Sequence, residues 1–168
     1  MSYMFYRVGY NVTTLFNIGD LSNWDTSSVT NMSYMFKNAG YNAKTFIIGD
    51  LSGWDTSSVT NMSDMFSSAG YSATTWSIGD LSSWDTSSVT DMRGMFNRAG
   101  YSATIFNIGD LSSWDTSSVT NMSNTFYYAG YKATWSLNCT SWNVNNVTNY
   151  TNFNYGVTSK VTAPTWVN

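Results

Sequence analysis

The run GDLSNWDTSSVTNMSYMF, Gly19 to Phe36, returns at Gly49, Gly79 and Gly109, each time 30 residues further on and with only a few letters changed. A fixed period of roughly 20 to 50 residues restricts a chain to a solenoid, a propeller or an array, because each unit buries its apolar face only against a neighbour. Trp24, Trp54, Trp84 and Trp114 mark the four full copies, which span residues 19–48, 49–78, 79–108 and 109–137. A shortened copy, LNCTSWNVNNVTNYTNF, places Trp142 where the motif Trp belongs and opens a degenerate capping coil over 138–168. MSYMF at Met1 to Phe5 repeats Met32 to Phe36, so the chain starts in mid-repeat; that suggests a truncation, a processed product or one module of a longer protein. The expectation is one repeat-solenoid domain over 1–168, of about five stacked coils.

Three pieces make up a repeat. TFIIGDLSGWD, Thr45 to Asp55, is rich in β-favouring residues. Its apolar positions Ile48, Leu51 and Trp54 are three apart, which a kink at Gly49 or a very short strand would reconcile with strand periodicity. TNMSDMFSSAG, Thr60 to Gly70, reads as a helix of about two turns, with Thr60 as N-cap, Met62, Met65, Phe66 and Ala69 on one face and Gly70 as the stop. YSATTWSI, Tyr71 to Ile78, is a return segment in which Tyr71, Ala73 and Trp76 point inward or toward the next coil. Stacked copies of one sequence place each apolar residue above itself, and the result is a continuous core. Thr125 replaces the Met of positions 35, 65 and 95 beside the last coil, as expected near a cap.

Charge narrows the function classes. Only 10% of residues are charged, yet 42% are hydrophobic, so the chain has ample material to bury and does not read as disordered. The net charge of -3 comes with no basic patch for nucleic acid and no polybasic run for a membrane. No stretch approaches the ~18 apolar residues of a membrane span. Histidine, glutamate and glutamine are absent, which removes most acid–base and metal-ligand sets and points away from an enzyme. The lone cysteine, Cys139, takes the slot of Leu111 in the preceding repeat and reads as a small core residue.

The run LSxWDTSSVTNMSxMF resembles the repeat of BspA-type leucine-rich-repeat surface proteins, over nearly the whole chain from Met1 to about Phe153. That resemblance implies a right-handed, leucine-rich-repeat-like α/β solenoid with one short helix per repeat. It also implies an extracellular or cell-surface protein that works in attachment, with a host protein or a glycan as partner. The repeat here is longer than the family's, with the extra residues around AGYSATTWSI.

Four features are candidates for function. The Asp ladders, Asp20, Asp50, Asp80, Asp110 and Asp25, Asp55, Asp85, Asp115, bring like charges close if coils stack at strand spacing. Turn-forming Asp, accepting nearby backbone N–H groups, is the favoured reading over calcium held between coils, and no cofactor is expected. The Thr ladders, including Thr26, Thr56, Thr86, Thr116 and Thr30, Thr60, Thr90, Thr120, read as hydrogen-bonding columns, with ice binding a distant third function. Asn-x-Ser/Thr sequons, as at Asn31 and Asn61, carry no functional reading. The changing letters cluster: Tyr34, Asp64, Gly94 and Asn124; Lys37-Asn38, Ser67-Ser68, Asn97-Arg98 and Tyr127-Tyr128; and Lys44, Thr74, Thr104 and Thr134. The first two sets fall opposite the Met-Phe stripe and are expected to be exposed. Tyr34, Lys37, Asn38, Asp64, Asn97, Arg98, Tyr127 and Tyr128 are therefore the candidate ligand-binding face, on a non-enzymatic adhesion module. The alternative is a fibre subunit that stacks end to end through a bare coil edge.

Overall fold

The computed structural model describes residues 1–167. Four strands, β1 (Leu15–Asn17), β2 (Thr45–Ile47), β3 (Thr75–Ser77) and β4 (Ile105–Asn107), pair in parallel and in chain order. A second parallel pair, β5 (Leu137–Asn138) and β6 (Val161–Thr162), lies in the C-terminal segment. Each of β1 to β4 exposes its first and last residue and buries the middle one, so Phe16, Phe46, Trp76 and Phe106 face the core. Register keeps the period: Phe16 pairs with Phe46, and Trp76 with Phe106. The strands are three residues long because Gly49 and its counterparts, at φ near +84° for Gly49, turn the chain at once.

The rest of each repeat is bonded to its neighbour without regular strand. The core is a set of columns. Phe36, Phe66, Phe96 and Phe126 stack with centroids 5.4 to 5.5 Å apart and near-parallel planes. Trp54, Trp84, Trp114 and Trp142 form a second column, and each indole N–H donates 2.9 Å to the carbonyl of a leucine in the preceding repeat: Leu21, Leu51, Leu81 and Leu111. Thr26, Thr56 and Thr86 are buried and donate 2.9 Å to the carbonyls of Asp55, Asp85 and Asp115 in the next repeat. Thr60, Thr90 and Thr120 donate the other way, 3.1 Å to Thr30, Thr60 and Thr90. The threonine columns are thus cross-repeat hydrogen bonds that leave no buried hydroxyl unpaired. Thr125 follows the same logic: it is fully buried, and its hydroxyl lies 2.7 Å from the Met122 carbonyl and 3.2 Å from that of Met92.

The expected helix over Thr60 to Gly70 is not there. Among the described residues the one helical element is a single 3₁₀ turn, Leu81–Ser83. The segment is instead a chain of β-turns. Asn61 accepts 2.9 Å from the Ser63 N–H, and Met65 N–H closes a turn onto Met62. Asp64 and Ser68 take left-handed backbone at φ +54° and +56°, which no α-helix admits. Alternate N–H groups then point along the stack: those of Met62, Asp64, Phe66 and Ser68 donate to the carbonyls of Asp91, Arg93, Met95 and Asn97. The expected apolar face is nonetheless buried, since Met62, Met65, Phe66 and Ala69 are all fully enclosed. A turn run that points residues inward at steps of three and four has the same apolar spacing as a helix.

The aspartates are turn residues. Asp20, Asp50, Asp80 and Asp110 each accept 2.9 Å from the serine N–H two residues on. Asp25, Asp55 and Asp85 accept from both the N–H and the hydroxyl of Ser27, Ser57 and Ser87. These bonds hold the Asp25, Asp55, Asp85 and Asp115 carboxyls below the ordinary range, the serine side chain first and its backbone N–H second. At the C-terminal end the columns stop: Phe153 meets Phe126 edge-on at 88°, and Trp166 stacks on Tyr150 at 4.4 Å.

Candidate functional site

The variable positions lie along the turn run, and their backbone explains their spacing. Tyr34, Asp64, Gly94 and Asn124 are all left-handed, as are Asn38, Ser68, Arg98 and Tyr128. The expectation that this set stands free in solvent is corrected by the structure. Asp64 is buried, Tyr34, Lys37, Asn38, Asn97, Tyr127 and Tyr128 are half-buried, and Arg98 alone is exposed. The cause is the turn geometry, which lays these side chains along the stack rather than away from it.

Two clusters result. In the first, the Asp64 carboxylate receives Lys37 Nζ at 3.1 Å on Oδ1 and Arg93 Nη2 at 3.4 Å on Oδ2. Arg93 also donates 2.9 Å to the Tyr34 hydroxyl, reaching across two repeats. That bond first, and the Asp64 charge with it, outweigh the opposing effect of burial and leave the guanidinium more firmly protonated than usual. The Tyr34 ring is sandwiched: Tyr3 stacks on it at 4.6 Å, and the Lys37 ammonium sits 5.0 Å from its centre. Gly94 makes the space, because a Cβ there would lie 2.8 Å from Asp64 Oδ1. Arg93 is not among the candidate-face residues that repeat comparison picks out. The signal lay in its neighbours: Arg93 and Gly94 change together, one repeat after Asp64 appears.

In the second cluster Arg98 lies 5.4 Å over the Tyr127 ring, Tyr127 meets Tyr128 edge-on at 4.8 Å, and Tyr155 stacks on Tyr127 at 5.5 Å. Tyr128 also meets Tyr131 at 5.1 Å. Tyr131 ends a further column, Tyr41, Tyr71, Tyr101 and Tyr131, with centroids 4.7 to 5.1 Å apart along one edge of the turn run. Tyr34, Lys37 and Asp64 are thus brought together, and so are Arg98, Tyr127 and Tyr128. Asn38 and Asn97 join neither cluster through a side-chain hydrogen bond among the described residues. Trp24, the first of the Trp set, is half-buried rather than buried.

Cys139 is buried, and burial first, then the Asp110 charge, push its thiol up to about 12. Among the described residues no three His, Cys, Asp or Glu side chains are placed to hold a metal ion. None of their helices is long and apolar enough to cross a membrane.

A family model described as "Mycoplasma protein of unknown function, DUF285" matches residues 1–101 and again residues 41–166. The chain belongs to that family, and the two overlapping matches follow the repeat. No curated protein and no solved structure matches the chain.

Proposed function

We propose that the protein is a non-enzymatic binding module of a cell-surface protein, a solenoid of stacked coils that presents its turn face to a protein or a glycan. The BspA-like wording of the repeat supports a role in attachment. The observation that carries the reading is the cluster of Arg98, Tyr127, Tyr128 and Tyr155, where a cation and amphipathic rings share one half-open surface while every repeat-invariant apolar side chain around them is enclosed. Tyrosine and arginine give large contact area with few torsions to freeze, which suits recognition.

The test is a screen of the native chain against a glycan array and a panel of matrix proteins, beside the triple variant Arg98→Ser, Tyr127→Ser, Tyr128→Ser. Ser67 and Ser68 already occupy the equivalent slots, so the variant keeps residues the turn tolerates. Binding by the native chain and not by the variant is the expected result; no binding by either chain refutes the reading.

A further inference from the structure

We propose that the cleft between β2 and β3 is a binding site for an acidic sugar residue. It lies on the strands, away from the turn face, and stands or falls independently of the function proposed above. β1 pairs with β2, and β3 with β4, through three residues. β2 and β3 pair only at Thr45 and Thr75. Beyond that point the strands part, and a cavity of about 310 Å³ opens between them. That volume lies at the small end of the range, roughly 300 Å³ upward, that small-molecule sites occupy.

The residue at the parting is Trp76, an indole in a column whose other members there are Phe16, Phe46 and Phe106. Its N–H is fixed 2.9 Å from the Ala69 carbonyl. The ring lies 6.2 Å from Phe46 on the open side but 4.8 Å from Phe106 on the paired side. The wider side chain therefore coincides with the lost pairing on one side only.

The lining suits a saccharide. Ile47 supplies an exposed apolar wall beside the edge of the Phe46 ring, and Thr74, Thr75 and Ser77 carry hydroxyls at the edge. A pyranose has an apolar C–H face and a rim of hydroxyls, so it matches both surfaces at once. Lys44 decides the charge. It lines the cleft at a slot that is Thr74, Thr104 and Thr134 in the other repeats, and it forms no ion pair among the described residues. An ammonium at the lip of a hydroxyl-lined cleft selects a sugar that carries a carboxylate.

The experiment is a titration of isotope-labelled protein with glucuronate and, separately, with glucose, followed by amide chemical shifts. Glucuronate is expected to move the amides of Phe46, Ile48 and Ser77, with glucose at least about tenfold weaker. Lys44→Thr, which copies the other repeats, should weaken glucuronate about tenfold and leave glucose unchanged. Trp76→Phe should restore the pairing and remove binding of both, with unfolding midpoints confirming that each variant folds. No movement with either sugar overturns the proposal, as does equal affinity for the two, or movement that survives both substitutions. Because the adhesion screen reads Arg98, Tyr127 and Tyr128 and this titration reads the strands, either result can fail without the other.

Discussion

Trp84→Phe tests whether the repeats are bonded to one another as described. The Trp84 ring is 3% exposed and lies between Trp54 and Trp114, 6.4 Å from each with planes parallel within 1°. Its N–H donates 2.9 Å to the Leu51 carbonyl, a buried bond across 33 residues of chain. That carbonyl also accepts the Trp54 backbone N–H at 3.1 Å, so losing the indole does not leave it bare. The cost is then one buried hydrogen bond, about 1 kcal/mol, without a further desolvation penalty. To this is added the void left by a smaller ring in a close-packed column, roughly 1–2 kcal/mol. The sum is about 2–3 kcal/mol. Trp24→Phe is the internal control. Trp24 has the same sequence context but is half-buried, and its indole N–H makes no hydrogen bond among the described residues. The same change there should cost under ~1 kcal/mol. Urea unfolding at equal slope, read by circular dichroism, gives both numbers from the midpoint shift. Equal losses at positions 24 and 84, or a loss below ~1 kcal/mol at 84, would refute the cross-repeat bond as a source of stability.

Three further outcomes follow from the same geometry. The carboxyls of Asp25, Asp55, Asp85 and Asp115 are held below their ordinary value of 3.8 in the folded chain, so their contribution is complete above that value and is lost as pH falls through the lowered folded values. The thermal midpoint should therefore be level above about pH 5 and drop below 3.8, and alanine at Ser27, Ser57 and Ser87 should flatten that drop; an acid profile unchanged by the three substitutions counts against the turn bonds as its source. Cys139, buried with its thiol pushed up to about 12, should resist a thiol reagent at pH 8 in the native chain and react fully in denaturant; rapid native labelling would contradict its place in the core. Arg98→Asn, which copies Asn38 of an earlier repeat, should leave the urea midpoint unchanged or raise stability by up to ~1 kcal/mol, since asparagine tolerates left-handed backbone better than arginine; a loss above ~1 kcal/mol would make Arg98 a structural residue.

Much of the fold was legible because repetition multiplies each signal. The period placed Trp54, Trp84 and Trp114 in one column, and the apolar spacing picked out Met62, Met65, Phe66 and Ala69 as enclosed. The short strand at Thr45 and the inward Trp76 also follow from the letters. What the letters hid is backbone sign. Glycine announces φ above zero, but Tyr34, Ser68, Arg98 and Tyr128 do not, and with only Gly94, Asn38, Asn124 and Asp64 as hints the segment reads as a helix. The first cluster was hidden for another reason: Arg93 and Tyr34 are 59 residues apart, and only the stack makes them neighbours.

The left-handed backbone also changes what variation on this face means. Under drift, a position at φ near +55° should settle on glycine, asparagine or aspartate, because other residues cost roughly 1–2 kcal/mol there. Gly94, Asn38, Asn124 and Asp64 conform. Tyr34 departs, but its stacking on Tyr3 and its bond from Arg93 supply a structural reason. Tyr128 departs too, with Tyr101, Tyr127, Tyr131 and Tyr155 around it. Ser68 departs at φ +56°, half-buried and with no side-chain hydrogen bond among the described residues, and Arg98 departs at φ +54°: it is exposed, and its contact is one ring at 5.4 Å, worth about 0.5–1 kcal/mol at a solvent-facing site. Arg98 is thus the exposed position of the candidate face where use and folding can be measured separately. The Arg98→Asn comparison therefore does more than measure stability. Unchanged or improved folding together with lost binding would separate the residue's use from its place in the fold, which no buried member of either cluster can do.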